Sequence, residues 1–441
     1  MLDGFRLRAE EGMSLNAFTA MAFDQGIPGS STFGPLTGVP IGVKDIIDVA
    51  GLPTTGGFKE RRDQRAPQDA ACSKALRDAG ALIVGKLNTS ELSTFPNGEN
   101  GSFGTAVNPW GADRIPGGSS SGSAVAVSTG MVAAALGADT GGSVRVPAAC
   151  CGVVWMKPTY GWISNDGMLP LAWTLDHVGV LARDVADCAH VLDAMGGWSS
   201  ATSVRLGMAE GVQKLRVGVP SNWIKMYADP DVREQWSGVA NRLTDTGAEL
   251  VDIGLPDPDA SSAVSRLIIH TEEAAWWERH PEYHQVARTT IRMRKQIGRY
   301  VAGPDYVTAL QLRELMRNDV QSIFARGIHA IATPTLAMCV PRLTDCRSDD
   351  PVGLEGMRRL VLFTSLFSLC GLPAVSVPSG LDAAGIPMGV QFVAPSFQEG
   401  TALRVAAAFE STERWEHPSL HGAATPSVAE HEVNGLTDAQ N

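Results

Sequence analysis

No Cys-x-x-Cys pair and no zinc-like ligand spacing occurs in this sequence, although it holds 7 cysteines. An odd count without such a pattern predicts free thiols in a reducing compartment and excludes a disulfide or metal framework. The adjacent Cys150 and Cys151 lie in an apolar stretch and read as packing residues. Long hydrophobic runs are missing too. The longest, 360–370, is broken by Thr364, Ser365 and Ser368, and a membrane span needs about 20 apolar residues. The opening MLDGFRLRAEEG lacks the apolar h-region of a secretory signal. Positive charge is scarce, with 36 Lys and Arg against 47 Asp and Glu. The net charge of −11 favours solubility and speaks against the basic face that a nucleic-acid partner requires. These absences predict a cytoplasmic protein with no membrane and no nucleic acid among its partners. No internal repeat is present.

What is there is ordinary globular material, 44% hydrophobic and 19% charged over 441 residues. That length exceeds what one small core can use, so one large α/β domain or two smaller ones are expected. The segment 39–49 suits a buried strand followed by a turn, and 69–80 has helical periodicity ending at Gly80. Residues 81–84 form a short apolar strand, 123–137 a tightly packed helix of small residues, and 151–156 another strand. The stretches 214–220, 231–247 and 248–253 read as strand, helix and strand, a βαβ unit that argues for helices on both faces of a mixed sheet. Residues 262–326 look helical throughout and are expected to cap the sheet. Strand character resumes at 330–335 and 373–377. The domain is expected to span 1–415, with 416–441 as a flexible tail.

Three pattern matches fail on their physics. Gly80 to Lys86 has P-loop spacing, but Leu87 stands where a Mg²⁺-binding hydroxyl belongs, and the intervening residues are strand-like. Gly118-Ser119-Ser120-Ser121-Gly122 matches the G-x-S-x-G elbow of α/β-hydrolase esterases, yet a turn, not a strand, precedes it. No His stands in a credible partner position either. His280 and His284 are four apart, but Pro281 spoils the helix that a zinc pair needs. No metal and no cofactor is expected.

A set of serines and glycines remains. Gly141-Gly142 before Ser143 allows unusual backbone angles, so successive N–H groups can converge on one point, as an oxyanion requires. The same residues can equally form a turn with Asp139 and Arg145 paired across it. Residues 116–123 offer a dense row of hydroxyls, or a polar loop. Lys44 is flanked by apolar residues, and a strand-end lysine can simply snorkel. A serine nucleophile without a histidine needs another base, and burial can keep a lysine neutral for that task.

Together these pieces closely resemble the amidase signature family. That family's pattern appears as GVPIGVKD (38–45), PGGSSSGSA (116–124), DTGGSVRVP (139–147) and CGVVWMKPTYG (151–161). Further matches are LNAF (15–18), SELSTFPNGENGSFGTAVNPW (90–110), TLDHVG (174–179), ATPT (332–335) and GLPAVSVPSG (371–380). The resemblance implies a large mixed β-sheet sandwiched between helical layers. Carried over residue by residue, it implies Lys44 as catalytic lysine, Ser119 as a serine after a cis peptide, and Ser143 as the acylated serine. The N–H groups of Thr140, Gly141, Gly142 and Ser143 would then form the oxyanion hole. Ser121 departs from the family's usual glycine, and Trp155 fills a position that is usually small.

The implied chemistry is acyl transfer, with neutral Lys44 drawing the Ser143 proton through Ser119. Phe95, Met168, Leu171, Trp173 and Met338 are expected to line an apolar pocket. Such a lining predicts a hydrolase of small aryl or alkyl amides, anilides or carbamates, acting as monomer or homodimer. The alternative is a glutaminase subunit that feeds ammonia to a tRNA-dependent amidotransferase.

Overall fold

Alternation of residues along the central strands sorts the interior into two faces. On one face Ala134, Leu136 and Ala138 pack with Val154, Met156, Val178 and Val180. On the other, Ala135, Trp155 and Leu181 pack beneath two short helices, Ser121–Ser128 and Arg145–Cys151. The computed structural model describes residues 2–23, 34–196, 203–205 and 207–418. Of the expected tail at 416–441, all but 416–418 lies outside these residues.

Among the described residues eleven strands form one sheet. They are β1 (Phe18–Met21), β2 (Pro40–Lys44), β3 (Leu82–Leu87), β4 (Ala134–Asp139), β5 (Val154–Lys157), β6 (His177–Ala182), β7 (Arg216–Val219), β8 (Glu249–Asp252), β9 (Ala330–Pro334), β10 (Ala374–Leu381) and β11 (Pro387–Val393). Their order is β1-β3-β2-β4-β6-β5-β10-β11-β9-β7-β8. The sheet is mixed: β2 runs parallel to β3 and β4, and β7 parallel to β8 and β9. β4, β6, β5, β10, β11 and β9 pair antiparallel in turn. This is a single-domain α/β fold with a large mixed sheet and flanking helices, as the resemblance implies. The expected βαβ unit is β7, the helix Pro230–Asp245 and β8.

Two sequence-based elements differ. The expected helix at 123–137 is split into the helix Ser121–Ser128 and strand β4. Gly130, at φ 69°, breaks the chain between them. Runs of Ala, Val and Gly buried on every side carry no period that separates helix from strand. The expected strand at 151–156 starts later, because Cys151 ends the helix Arg145–Cys151 and Gly152 caps it at φ 65°.

The region beyond β8 is helical: Pro258–Glu278, Thr289–Gln296 and Gly303–Ala325. The first of these meets the chain just before β6, where Leu171, Ala172 and Leu175 cluster with Val264, Ile268, Ile269, Ala309 and Leu369. No helix among the described residues is long and apolar enough to cross a membrane. All 7 cysteines are free.

Candidate active site

Lys44 ends β2 and is fully buried, so its ammonium has lost its water. Its Nζ donates to Ser119 Oγ at 2.7 Å. Desolvation lowers its pKa to about 7, against the opposing pull of the Asp176 and Asp139 carboxylates. The next residue turns elsewhere: Asp45 lies 3.3 Å from Lys86 Nζ and accepts from Thr55. Burial pushes the Asp45 carboxyl up despite Lys86 beside it.

Ser119 is equally buried and follows a cis Gly118–Ser119 peptide. Gly118 is required by contact, because a Cβ there would collide with the Gly98 backbone. Ser120 N–H donates to the Ser143 carbonyl at 3.1 Å, which ties the hydroxyl-rich loop to the Ser143 loop. Lys44 and Ser119 are 0% exposed, whereas Ser143 is 8% exposed. Ser143 is thus the least buried of the three.

The loop that carries Ser143 leaves β4 at Asp139. Burial alone would raise that carboxyl, but Arg145 overcomes it and holds the pKa to about 2. Arg145 Nε lies 3.1 Å from Asp139 Oδ2, its Nη2 3.1 Å from Oδ1, and its Nη1 donates to Gln391 at 3.0 Å. The Asp139–Arg145 pair of the turn reading is thus present. Gly142 N–H already donates to Asp139 Oδ1 at 2.8 Å, an oxygen that also accepts from Ser368 Oγ at 2.8 Å. The set of candidate oxyanion donors narrows to Thr140, Gly141 and Ser143. Gly142 sits at φ 140°, and a Cβ there would strike Thr364 Oγ1. Thr364 Oγ1 in turn donates to the Gly141 carbonyl at 2.6 Å.

The expected apolar lining does not converge on one place. Phe95 is buried beneath the guanidinium groups of Arg288 and Arg294, at 5.7 and 5.4 Å from its ring centre. Met338 packs on the same core cluster, Met168 on the opposite one, and Leu171 joins the helices Pro258–Glu278 and Gly303–Ala325. Trp173 is exposed, and its carbonyl accepts from Tyr160 Oη at 2.8 Å. Phe95 and Leu171 are both buried.

Sequence reasoning gave no role to Asp176, whose signal was its place in the motif TLDHVG (174–179) that leads into β6. It also overlooked buried Lys157 and His177. Desolvation lowers the Lys157 pKa to about 7, and burial with Lys157 nearby takes His177 well below its ordinary value. The His280 and His284 rings stack on Trp276 and Trp277, at 4.0 and 4.2 Å between ring centres.

A family model described as Amidase matches residues 15–403. The chain belongs to this family and is an enzyme acting on amide C–N bonds. A glutamyl-tRNA(Gln) amidotransferase subunit from Geobacter metallireducens is 36% identical over 415 residues, covering 86% of this chain and 84% of that protein. The crystal structure of the corresponding glutamyl-tRNA(Gln) amidotransferase subunit from Thermotoga maritima matches with a TM-score of 0.80 at 28% identity, over 94% of each chain. A 6-aminohexanoate cyclic dimer hydrolase complexed with substrate matches with a TM-score of 0.87 at 26% identity, over 95% of each chain.

These relatives correct two expectations. Their naming as amidotransferase subunits overturns a hydrolase of small aryl or alkyl amides, anilides or carbamates, and favours the amidotransferase alternative. The exclusion of nucleic acid and of other partners falls with it. Net charge describes one chain's surface, and it says nothing of a substrate held mainly by other members of an assembly.

Proposed function

We propose that this chain is the glutamine-hydrolysing subunit of a tRNA-dependent amidotransferase, with Lys44, Ser119 and Ser143 as its catalytic residues. The observation that carries the reading is the 2.7 Å contact from buried Lys44 Nζ to Ser119 Oγ, in a chain whose relatives are named as amidotransferase subunits. A lysine with its pKa lowered to about 7 is partly neutral at physiological pH and can accept a proton.

In this mechanism Ser143 Oγ attacks the side-chain amide carbon of glutamine. Its proton passes to Ser119 as Ser119 gives its own to Lys44. The oxyanion is received by N–H groups of Thr140, Gly141 and Ser143. The tetrahedral adduct collapses as Ser119, resupplied by Lys44, protonates the departing nitrogen. Ammonia leaves, and a γ-glutamyl ester remains on Ser143. Water attacks this ester by the reverse route and releases glutamate. One glutamine and one water thus give one glutamate and one ammonia, and the ammonia amidates the glutamyl group carried by tRNA elsewhere in the assembly. The reaction belongs to the cytoplasm, where tRNA is charged.

The test is transfer of label. The chain, co-expressed with the remaining subunits, is supplied with glutamine carrying ¹⁵N in its side-chain amide, ATP and glutamyl-tRNA(Gln). Appearance of ¹⁵N in the tRNA-bound glutaminyl group, lost on Ser143→Ala and restored by free ¹⁵N-labelled ammonia, is the expected result. Transfer that persists in Ser143→Ala contradicts the assignment.

A further inference from the structure

Thr140, the first residue of the Ser143 loop, is held by its side chain. Its Oγ1 donates to Asp176 Oδ1 at 2.5 Å. The other carboxylate oxygen of buried Asp176 accepts from the backbone N–H groups of Leu171 at 2.9 Å and Ala172 at 3.1 Å. Asn165 Nδ2 donates to the Asp176 carbonyl at 2.7 Å. One carboxylate therefore joins the Ser143 loop to the segment 171–176.

That segment is anchored on its far side as well. Thr174 donates through N–H at 3.1 Å and Oγ1 at 2.5 Å to Glu272 of the helix Pro258–Glu278, and Tyr306 Oη reaches Glu272 at 2.9 Å. Arg313 Nη2 donates to the Thr174 carbonyl at 3.0 Å. A Cβ added at Gly141 would come within 4.0 Å of Ile269 Cδ1, on the same helix as Glu272. The loop is thus fixed against a braced segment.

We propose that Asp176 is a positioning residue of the reaction, fixing through Thr140 where the N–H groups of the Ser143 loop point. This rests on the acyl-transfer reading of Ser143. Asp176 hydrogen-bonds to neither Lys44 nor Ser143. Besides holding the loop, its charge raises the Lys44 pKa against the desolvation that lowers it, so the Thr140 variants, which leave that charge in place, carry the test. An N–H donor aimed at an oxyanion depends steeply on direction, so a loop released at its first residue loses transition-state contact before it loses ground-state binding.

The experiment measures phosphonylation of Ser143 by a fluorophosphonate, which loses fluoride and forms a tetrahedral phosphonate ester whose P=O oxygen takes the oxyanion position, without glutamine. A wrong assignment of the natural substrate therefore leaves the result intact. Thr140→Val removes only the hydroxyl, Thr140→Ser keeps it, and Asp176→Asn removes the charge at constant shape. Thr140→Val and Asp176→Asn are expected to slow the maximal inactivation rate about tenfold or more, with probe affinity nearly unchanged. Thr140→Ser is expected to recover most of that rate. A Thr140→Val enzyme that folds and reacts at the wild-type rate overturns the proposal. So does a Thr140→Ser enzyme as slow as Thr140→Val.

Discussion

Lys44 and Asp45 are neighbours in sequence but end on different partners, Lys44 on Ser119 Oγ at 2.7 Å and Asp45 beside Lys86 at 3.3 Å. Successive residues leave a strand on opposite faces, so the carboxylate that follows Lys44 is kept off its amine. Lys86 supplies Asp45 with a counter-charge of its own.

The first prediction follows from that separation. With Lys44 needed neutral and its pKa lowered to about 7, amide turnover rises with pH through about 7 and then stays high. Below that range the ammonium has no lone pair to accept the Ser119 proton. Lys44→Ala should lower kcat severely, and more for an amide than for a p-nitrophenyl ester, whose leaving group departs without a proton. Parallel pH–rate profiles on both substrate types check this. Equal losses would confine Lys44 to the attack step.

The second concerns stability. Burial holds Lys44 well below its ordinary 10.5, so between about pH 7 and 10 the unfolded chain binds a proton that the folded chain does not. Stability therefore rises with pH across this window, and the cost of the buried amine is greatest below it. Lys44→Met should gain stability on the order of a few kcal/mol near pH 6, shrinking towards pH 10. Urea unfolding at both ends of the range measures it. A gain independent of pH would mean that packing, not charge, is responsible.

How much of this was legible in the sequence depended on the kind of signal. Lys44, Ser119 and Ser143 were singled out by the motifs that carry the family resemblance, since their immediate neighbours also allow ordinary roles. The βαβ unit around 230–245 was legible because its helix has one apolar face. The stretch 123–137 was not, since every residue of it but Ala133 is buried and no face repeats. Gly142 N–H looked available because sequence gives no measure of how many donors a buried Asp139 consumes. Phe95 and Leu171 looked like pocket residues because hydrophobicity does not distinguish a core position from a lining one. Asp176 was hidden, since its partners Thr140 and Leu171 come together only in the fold. The partner class was least legible, because −11 net charge records one chain and not an assembly.

The third prediction addresses the Ser143 loop. Arg145→Met would strand the Asp139 carboxylate in a fully buried site, at a cost of about 3–5 kcal/mol. Adding Asp139→Asn should recover part of that loss, because the stranded charge is gone. Activity should stay low in the double variant, where Gly142 N–H loses its charged anchor. Denaturant unfolding of the two single variants and the double variant gives the coupling. Additive losses would show that the pair is not the source of the effect.

The central claim, that Ser143 carries a γ-glutamyl group drawn from glutamine, is tested most directly by acid-quenched mass spectrometry of the assembled enzyme during turnover. The account predicts one modified peptide, containing Ser143 and heavier by a γ-glutamyl group, that accumulates when deacylation is slowed and is absent in Ser143→Ala. Steady glutamate release with no adduct at Ser143, or with the adduct at Ser120, would contradict it.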